Sequence, residues 1–115
     1  GPALRDALLN NPDVSDLALC TYALPARGVG LYAFVETELD RVDLENLCAE
    51  ENADLIQPVA KLPRDASGDV RLDALQLIAT NQLDEIAELQ RREPGLSDVI
   101  APIIAGRLNL SDRVL

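Results

Sequence analysis

The chain has 115 residues, 48% of them apolar and only 3% aromatic, and a formal net charge of −10. That length supports one hydrophobic core, built here from Leu, Ile, Val and Ala, and is too short for two. The acidic balance argues against nucleic acid and anionic membranes as partners, since both present negative phosphates.

The elements follow in chain order. Residues 3–9 place Ala3, Leu4, Ala7 and Leu8 on one helical face. Asn10-Asn11-Pro12-Asp13 stops that helix, because Pro12 cannot continue the ladder and Asn suits a C-terminal cap. Residues 17–22 form a mostly apolar run that reads as a strand. A turn region with Pro25, Gly28 and Gly30 separates it from a second strand over 31–37, where Tyr32, Phe34 and Val35 supply β-propensity. The short connection predicts an antiparallel hairpin. A helix over 42–50 follows, with Val42, Leu44, Leu47 and Cys48 apolar. A third strand spans 55–62, and Pro58 within it argues for an edge position or a bulge.

Beyond a loop, residues 72–92 read as one long amphipathic helix. Leu75, Ile78, Ala79, Leu83, Ile86 and Leu89 recur at spacings of three and four, and Pro94-Gly95 ends the run. A shorter helix over 98–107, capped by Ser97, is disturbed by Pro102. The order predicts an α+β domain: a small three-stranded, mainly antiparallel sheet with helices on one face, plus a C-terminal helical extension.

No histidine is present, which removes Ser-His-Asp and Cys-His catalysis and every metal site that needs imidazole. Cys20 and Cys48 lie in apolar surroundings without CxxC spacing, the pattern of two buried free thiols in a cytoplasmic protein. No apolar run reaches 18 residues. There is no methionine, and a start at Gly1-Pro2 resembles a tag-cleavage scar, so the sequence reads as a domain cut from a longer polypeptide. The charge is uneven: residues 1–60 hold three Arg against eleven Asp and Glu, whereas 61–115 hold seven basic and nine acidic residues. A solvated surface is the plainer meaning of that charge.

The most informative stretch is residues 62–75, Leu-Pro-Arg-Asp-Ala-Ser-Gly-Asp-Val-Arg-Leu-Asp-Ala-Leu. It reads as a strand end, a loop punctuated by Pro63 and Gly68, and a helix start. Asp65, Asp69 and Asp73 do not match a calcium loop, which needs acids at alternate positions and a later glycine. Gly28-Val29-Gly30 precedes a strand rather than a helix, so it is turn chemistry and not a phosphate cradle.

Residues 62–75 resemble the closing motif of adenylate-forming enzymes: acyl- and aryl-CoA synthetases, peptide-synthetase adenylation domains and luciferases. That motif runs approximately Leu-Pro-Lys-Thr-x-Ser-Gly-Lys-x-x-Arg-x-x-Leu. Leu62, Pro63, Ser67, Gly68 and Leu75 fall in register, and Asp69 occupies the position of the family's catalytic lysine. Two earlier stretches fit the same family in order. Residues 7–18, with Asn11-Pro12-Asp13-Val14, are similar to its helix-turn-strand entry. Residues 28–35, Gly-Val-Gly-Leu-Tyr-Ala-Phe-Val, are similar to its Gly-x-x-x-x-Ala-Phe-Val. The family's hinge is absent, and the basic residue and proline usual before the third strand are not evident.

The resemblance implies a lid domain over residues 1–79, with 80–115 a helical extension packed on it. Such a lid is the mobile C-terminal domain of an ATP-dependent, AMP-forming ligase. It would have no cofactor of its own, with ATP and Mg²⁺ and the thiol of CoA or a carrier protein implied for the full-length protein. The implied partner is a large N-terminal adenylation domain in the same chain, with a carrier protein as a further one.

In the family, the lysine contacts the substrate carboxylate and the α-phosphate, both anionic, so Asp69 reverses the charge the chemistry calls for. Lys61, Arg64 and Arg71 are the nearby cations that could substitute. The competing reading is a non-catalytic interaction module derived from such a lid. The extension either covers this domain's own sheet or offers a docking surface.

Overall fold

The computed structural model describes residues 2–24, 28–48 and 53–114. Helix α1 (Pro2–Leu9) leads into strand β1 (Val14–Leu24), which pairs antiparallel with β2 (Gly28–Thr37). The hairpin is longer than the apolar runs alone suggest, since Val14-Ser15-Asp16 also joins the ladder through a bulge between Val14 and Asp16. Helix α2 (Arg41–Leu47) is capped by Asp40, whose Oδ1 accepts from the Asp43 amide at 2.8 Å. Residues 49 and 50 of the expected helix lie outside the described residues.

Strand β3 (Leu55–Val59) pairs parallel with β2, giving the order β1-β2-β3 with β2 central. It stops at Val59 and not at residue 62. Pro58 sits on this edge strand, opposite Val35, where its missing N–H costs no central ladder bond. The expected three-stranded α+β sheet is therefore present.

The expectation of helices on one face describes half of the arrangement. Alternation along β2 sends Tyr32 and Phe34 to one face and Ala33 and Val35 to the other. The first face packs against helices α3 (Leu72–Ala79), α4 (Leu83–Arg92) and α5 (Ser97–Val114), through residues such as Leu75, Ile78, Ile86, Ile100 and Ile103. The second packs against α1 and α2 through Leu8 and Leu44. Cys20 and Cys48 are buried in these two separate clusters. Burial pushes the Cys20 thiol up to about 11, which makes it a poor nucleophile.

The long helix expected over 72–92 is two helices. Asn81 takes a positive φ of 55°, the left-handed conformation that Asn tolerates better than most residues. The Asn81 amide donates to the Ile78 carbonyl at 3.1 Å and the Gln82 amide to the Leu77 carbonyl at 3.0 Å. These two bonds are the Schellman closure of a helix end. They satisfy carbonyls that α3 would otherwise leave bare.

The last helix is also longer than expected, running through Pro102 to Val114, with a 3₁₀ turn (Pro94–Leu96) ahead of it. Gln57 on β3 holds it in place. Its amide nitrogen donates to the Ile103 carbonyl at 2.9 Å, and its oxygen accepts from the buried Tyr32 hydroxyl. A Cβ at Gly106 would stand 2.2 Å from Gln57 Nε2, so only glycine lets the helix come this close. Among the described residues no helix is long and apolar enough to cross a membrane, and no cluster of three or more metal-ligating side chains forms.

Candidate functional site

The motif loop is a small, self-braced hairpin. Arg64 and Val70 form an isolated antiparallel bridge, and the Arg71 amide donates to the Pro63 carbonyl at 2.8 Å. At the tip, the Gly68 amide donates to the Asp65 carbonyl at 3.0 Å, and the Asp65 amide to the Asp69 carbonyl at 2.9 Å. Gly68 takes φ +88°, as a three-residue hairpin loop with a glycine bulge requires. The Asp65 carboxylate closes the turn from inside, accepting from the amides of Ser67 (2.8 Å) and Asp69 (3.1 Å). Pro63, Ser67 and Gly68 thus serve geometry that is local and short-range.

Asp69 is exposed at this tip. Among the described residues its carboxylate makes no ion pair or side-chain hydrogen bond. The position matched to the family's lysine therefore presents a negative charge to solvent.

The three cations expected as substitutes are placed differently from one another. Arg64 is committed to the hairpin's own base. Its guanidinium donates to the Gly68 carbonyl at 3.2 Å and to Asp16 Oδ2 at 3.0 Å, with Glu36 at 3.6 Å. Glu36 also accepts from the Leu62 amide at 2.8 Å, tying the loop's start to the end of β2. Hydrogen bonding to Asp16 raises the Arg64 pKa further.

Arg71 is clamped between two carboxylates, meeting Glu93 at 2.8 and 2.9 Å and Asp73 at 3.0 Å through both Nε and Nη2. Lys61 is exposed and lines a shallow groove between β3 and α5 with Pro58, Val59, Asp98, Val99 and Pro102. The hollow beside the hairpin is lined instead by Arg64, Asp65, Arg71, Glu93 and Leu96, among others. Two of the three cations are neutralised where they stand, and the third lines a different surface.

Sequence reasoning missed the residues that hold the loop: Asp16, Glu36 and Glu93. Glu36 directly follows the Ala-Phe-Val string, and a parallel pairing of β2 with β3 would have brought it to Leu62. Glu93 is 22 residues from Arg71 and reaches it only because the chain breaks at Asn81.

The Arg71 clamp carries a pH signature. Hydrogen bonds from Arg71 hold the Glu93 and Asp73 carboxyls below their ordinary values of 4.5 and 3.8. Groups with lowered folded pKa stabilise the fold above that ordinary range and lose this contribution as pH falls through the folded values. Arg71→Met is therefore expected to lower the melting temperature at about pH 6 and to have a smaller effect at about pH 3. Melts followed by circular dichroism at the two pH values check this, and an equal loss at both would reject it.

No family model matches the chain. Curated relatives do. The acetyl-coenzyme A synthetase of Saccharophagus degradans is 30% identical over 120 aligned residues, which is 92% of this chain and 18% of that protein. That of Bartonella bacilliformis is 29% identical over 122 residues, 95% of this chain and 18% of its own length. That of Halorhodospira halophila is 30% identical over 97 residues, 74% of this chain and 15% of its own. The chain thus spans less than a fifth of the length of the relatives it matches. Near-complete coverage by one enzyme type, with the three ordered motifs and the strand–hairpin–helix geometry beneath them, makes this chain a member of the adenylate-forming superfamily, matching its C-terminal domain.

Proposed function

We propose that the chain is the mobile C-terminal lid of an AMP-forming acid–thiol ligase, in which a large N-terminal domain holds ATP, Mg²⁺ and most of the substrate. The observation that carries this reading is the match of 92% of the chain to a small fraction of acetyl-coenzyme A synthetases. The residues present here do not fit a triphosphate by themselves. The hairpin tip offers Asp65 and Asp69 to solvent, and the two adjacent arginines are already paired. No adenylation step is therefore assigned to this chain's own side chains. The lid would act by its position, closing over the large domain and opening again for the thiol of CoA or a carrier protein.

The isolated chain is expected to bind ATP negligibly. Titration calorimetry checks this, and saturable binding at micromolar ATP would contradict the lid reading by revealing a self-contained nucleotide site. A second reading is favoured by one observation, the exposed carboxylate of Asp69 with its neighbouring cations neutralised. On that reading the fold is a lid that has given up chemistry and now only docks a partner domain. Pyrophosphate exchange by the full-length protein separates the two, being present for the ligase and absent for the module.

A further inference from the structure

Strand β1 is the longest in the sheet and lies at its edge. An edge strand exposes a row of unpaired N–H and C=O groups that can pair with another strand. The usual deterrents are scarce. Residues 17–24 (Leu-Ala-Leu-Cys-Thr-Tyr-Ala-Leu) contain no proline and no charge. The orientation of the row is fixed by Leu31, the partner of Thr21. The Leu31 amide donates to the Asp54 carboxylate at 2.8 Å and its carbonyl accepts from the Asp54 amide at 3.0 Å, both on the far side from β1. Thr21 and Leu31 are therefore a non-hydrogen-bonded pair, and the backbone groups of Thr21 point outward.

Those groups are met by one side chain. Gln76, on α3, accepts from the Thr21 amide at 3.4 Å and donates to the Thr21 carbonyl at 2.5 Å. A primary carboxamide carries the same donor and acceptor as a peptide unit. We propose that Gln76 is an edge guard, a side-chain stand-in for the next strand that keeps β1 closed to antiparallel pairing with a second copy of this chain. The guard sits mid-way along the uncharged segment, where an antiparallel partner would have to nucleate. Nearer the start of the strand, Asp16 Oδ1 accepts from the Leu17 amide at 2.8 Å and occupies a second outward position. The net charge of −10 adds repulsion between copies, and at about 0.15 M salt that repulsion is screened beyond about 8 Å. The guard is then the main local barrier.

The test measures oligomeric state by light scattering at about 0.15 M salt. The native chain is expected to be a monomer. Gln76→Ala, with its circular dichroism retained, is expected to rise with concentration towards twice the monomer mass. Adding Thr21→Pro should restore the monomer, since proline at an outward position leaves the internal ladder intact but blocks a new strand. A folded Gln76→Ala that stays monomeric, or a dimer that survives Thr21→Pro, would overturn the proposal. Amide hydrogen exchange on the native chain gives a test that does not depend on variants folding. The Thr21 amide should exchange more slowly than those of Leu19 and Ala23, by about tenfold or more. Equal exchange at the three positions would show that the guard does not form.

Discussion

Replacing Asp69 with lysine in the full-length protein is expected to raise its acid-dependent pyrophosphate exchange by about tenfold or more. The expectation rests on the proposed lid function and on the geometry of the hairpin. Asp69 stands exposed at a tip that is braced on every side by its own backbone and by Asp65. A lysine there would keep that backbone, because the φ-demanding position is Gly68 and not residue 69. It would present an ammonium where developing phosphate charge must be met, and losing one such contact costs on the order of 10²–10³ in rate.

Arg64 and Arg71 are poor substitutes, since each would have to abandon two carboxylates first. If Lys61 has taken over, Asp69→Lys changes little and Lys61→Ala abolishes exchange. If exchange is absent in both the native protein and Asp69→Lys, adenylation has left this protein and the docking module stands.

The largest stability effect is expected at Gly106. Alanine there would put its methyl 2.2 Å from Gln57 Nε2 and 3.0 Å from Cδ. Gln57 cannot retreat freely, because it is buried and bonded at both ends, to Tyr32 and Ile103. Either α5 shifts outward or the carboxamide leaves its partners. The first route costs about 1–3 kcal/mol as overpacking. The second leaves a fully buried tyrosine hydroxyl unpaired, at about 1–3 kcal/mol.

A fall in melting temperature of about 5–15 °C follows for a domain of this size. The double variant Gly106→Ala, Gln57→Ala should lose less than the sum of the two single losses, since the second change removes the overlap created by the first. Strict additivity would show that Gly106 and Gln57 do not touch.

What the sequence disclosed, and what it hid, follows the range of the forces involved. The hairpin of β1 and β2 is legible from two apolar runs, the aromatic residues of the second and a short glycine-rich turn, all local. The turn of the loop is legible for the same reason, since the backbone bonds that close it run between residues 63 and 71, whereas Asp16, Glu36 and Glu93, which brace it, are distant in sequence. The stripe Leu75, Ile78, Leu83, Ile86, Leu89 suggests one helix because it stays periodic across Thr80-Asn81-Gln82. Those three polar residues were the only local hint of the break, and a left-handed Asn at a helix end leaves no mark on hydrophobic spacing. Pro102 misleads in the opposite direction. Packing of Ile100 and Ile103 holds α5 continuous despite the missing N–H. The covering of the second sheet face was hidden because α1 and α2 are short, eight and seven residues, and neither carries a stripe long enough to show which face of the sheet it covers.

Arg107 gives the chain an unusual optical property. Its guanidinium, on α5, lies 5.9 Å from the ring centre of Tyr22 and 5.2 Å from that of Tyr32, and donates to the Ala79 carbonyl at the end of α3. The two rings are themselves in edge contact at 6.1 Å. The sequence has no tryptophan and only these two tyrosines. All of its tyrosine fluorescence therefore originates at one junction, where the C-terminal helix meets β1 and β2. Tyrosine emission is a local reporter of α5 docking, while the far-ultraviolet signal averages over the whole backbone. Denaturation curves recorded both ways on one sample separate undocking of the last helix from loss of the sheet, and coincide only when the two are a single cooperative event.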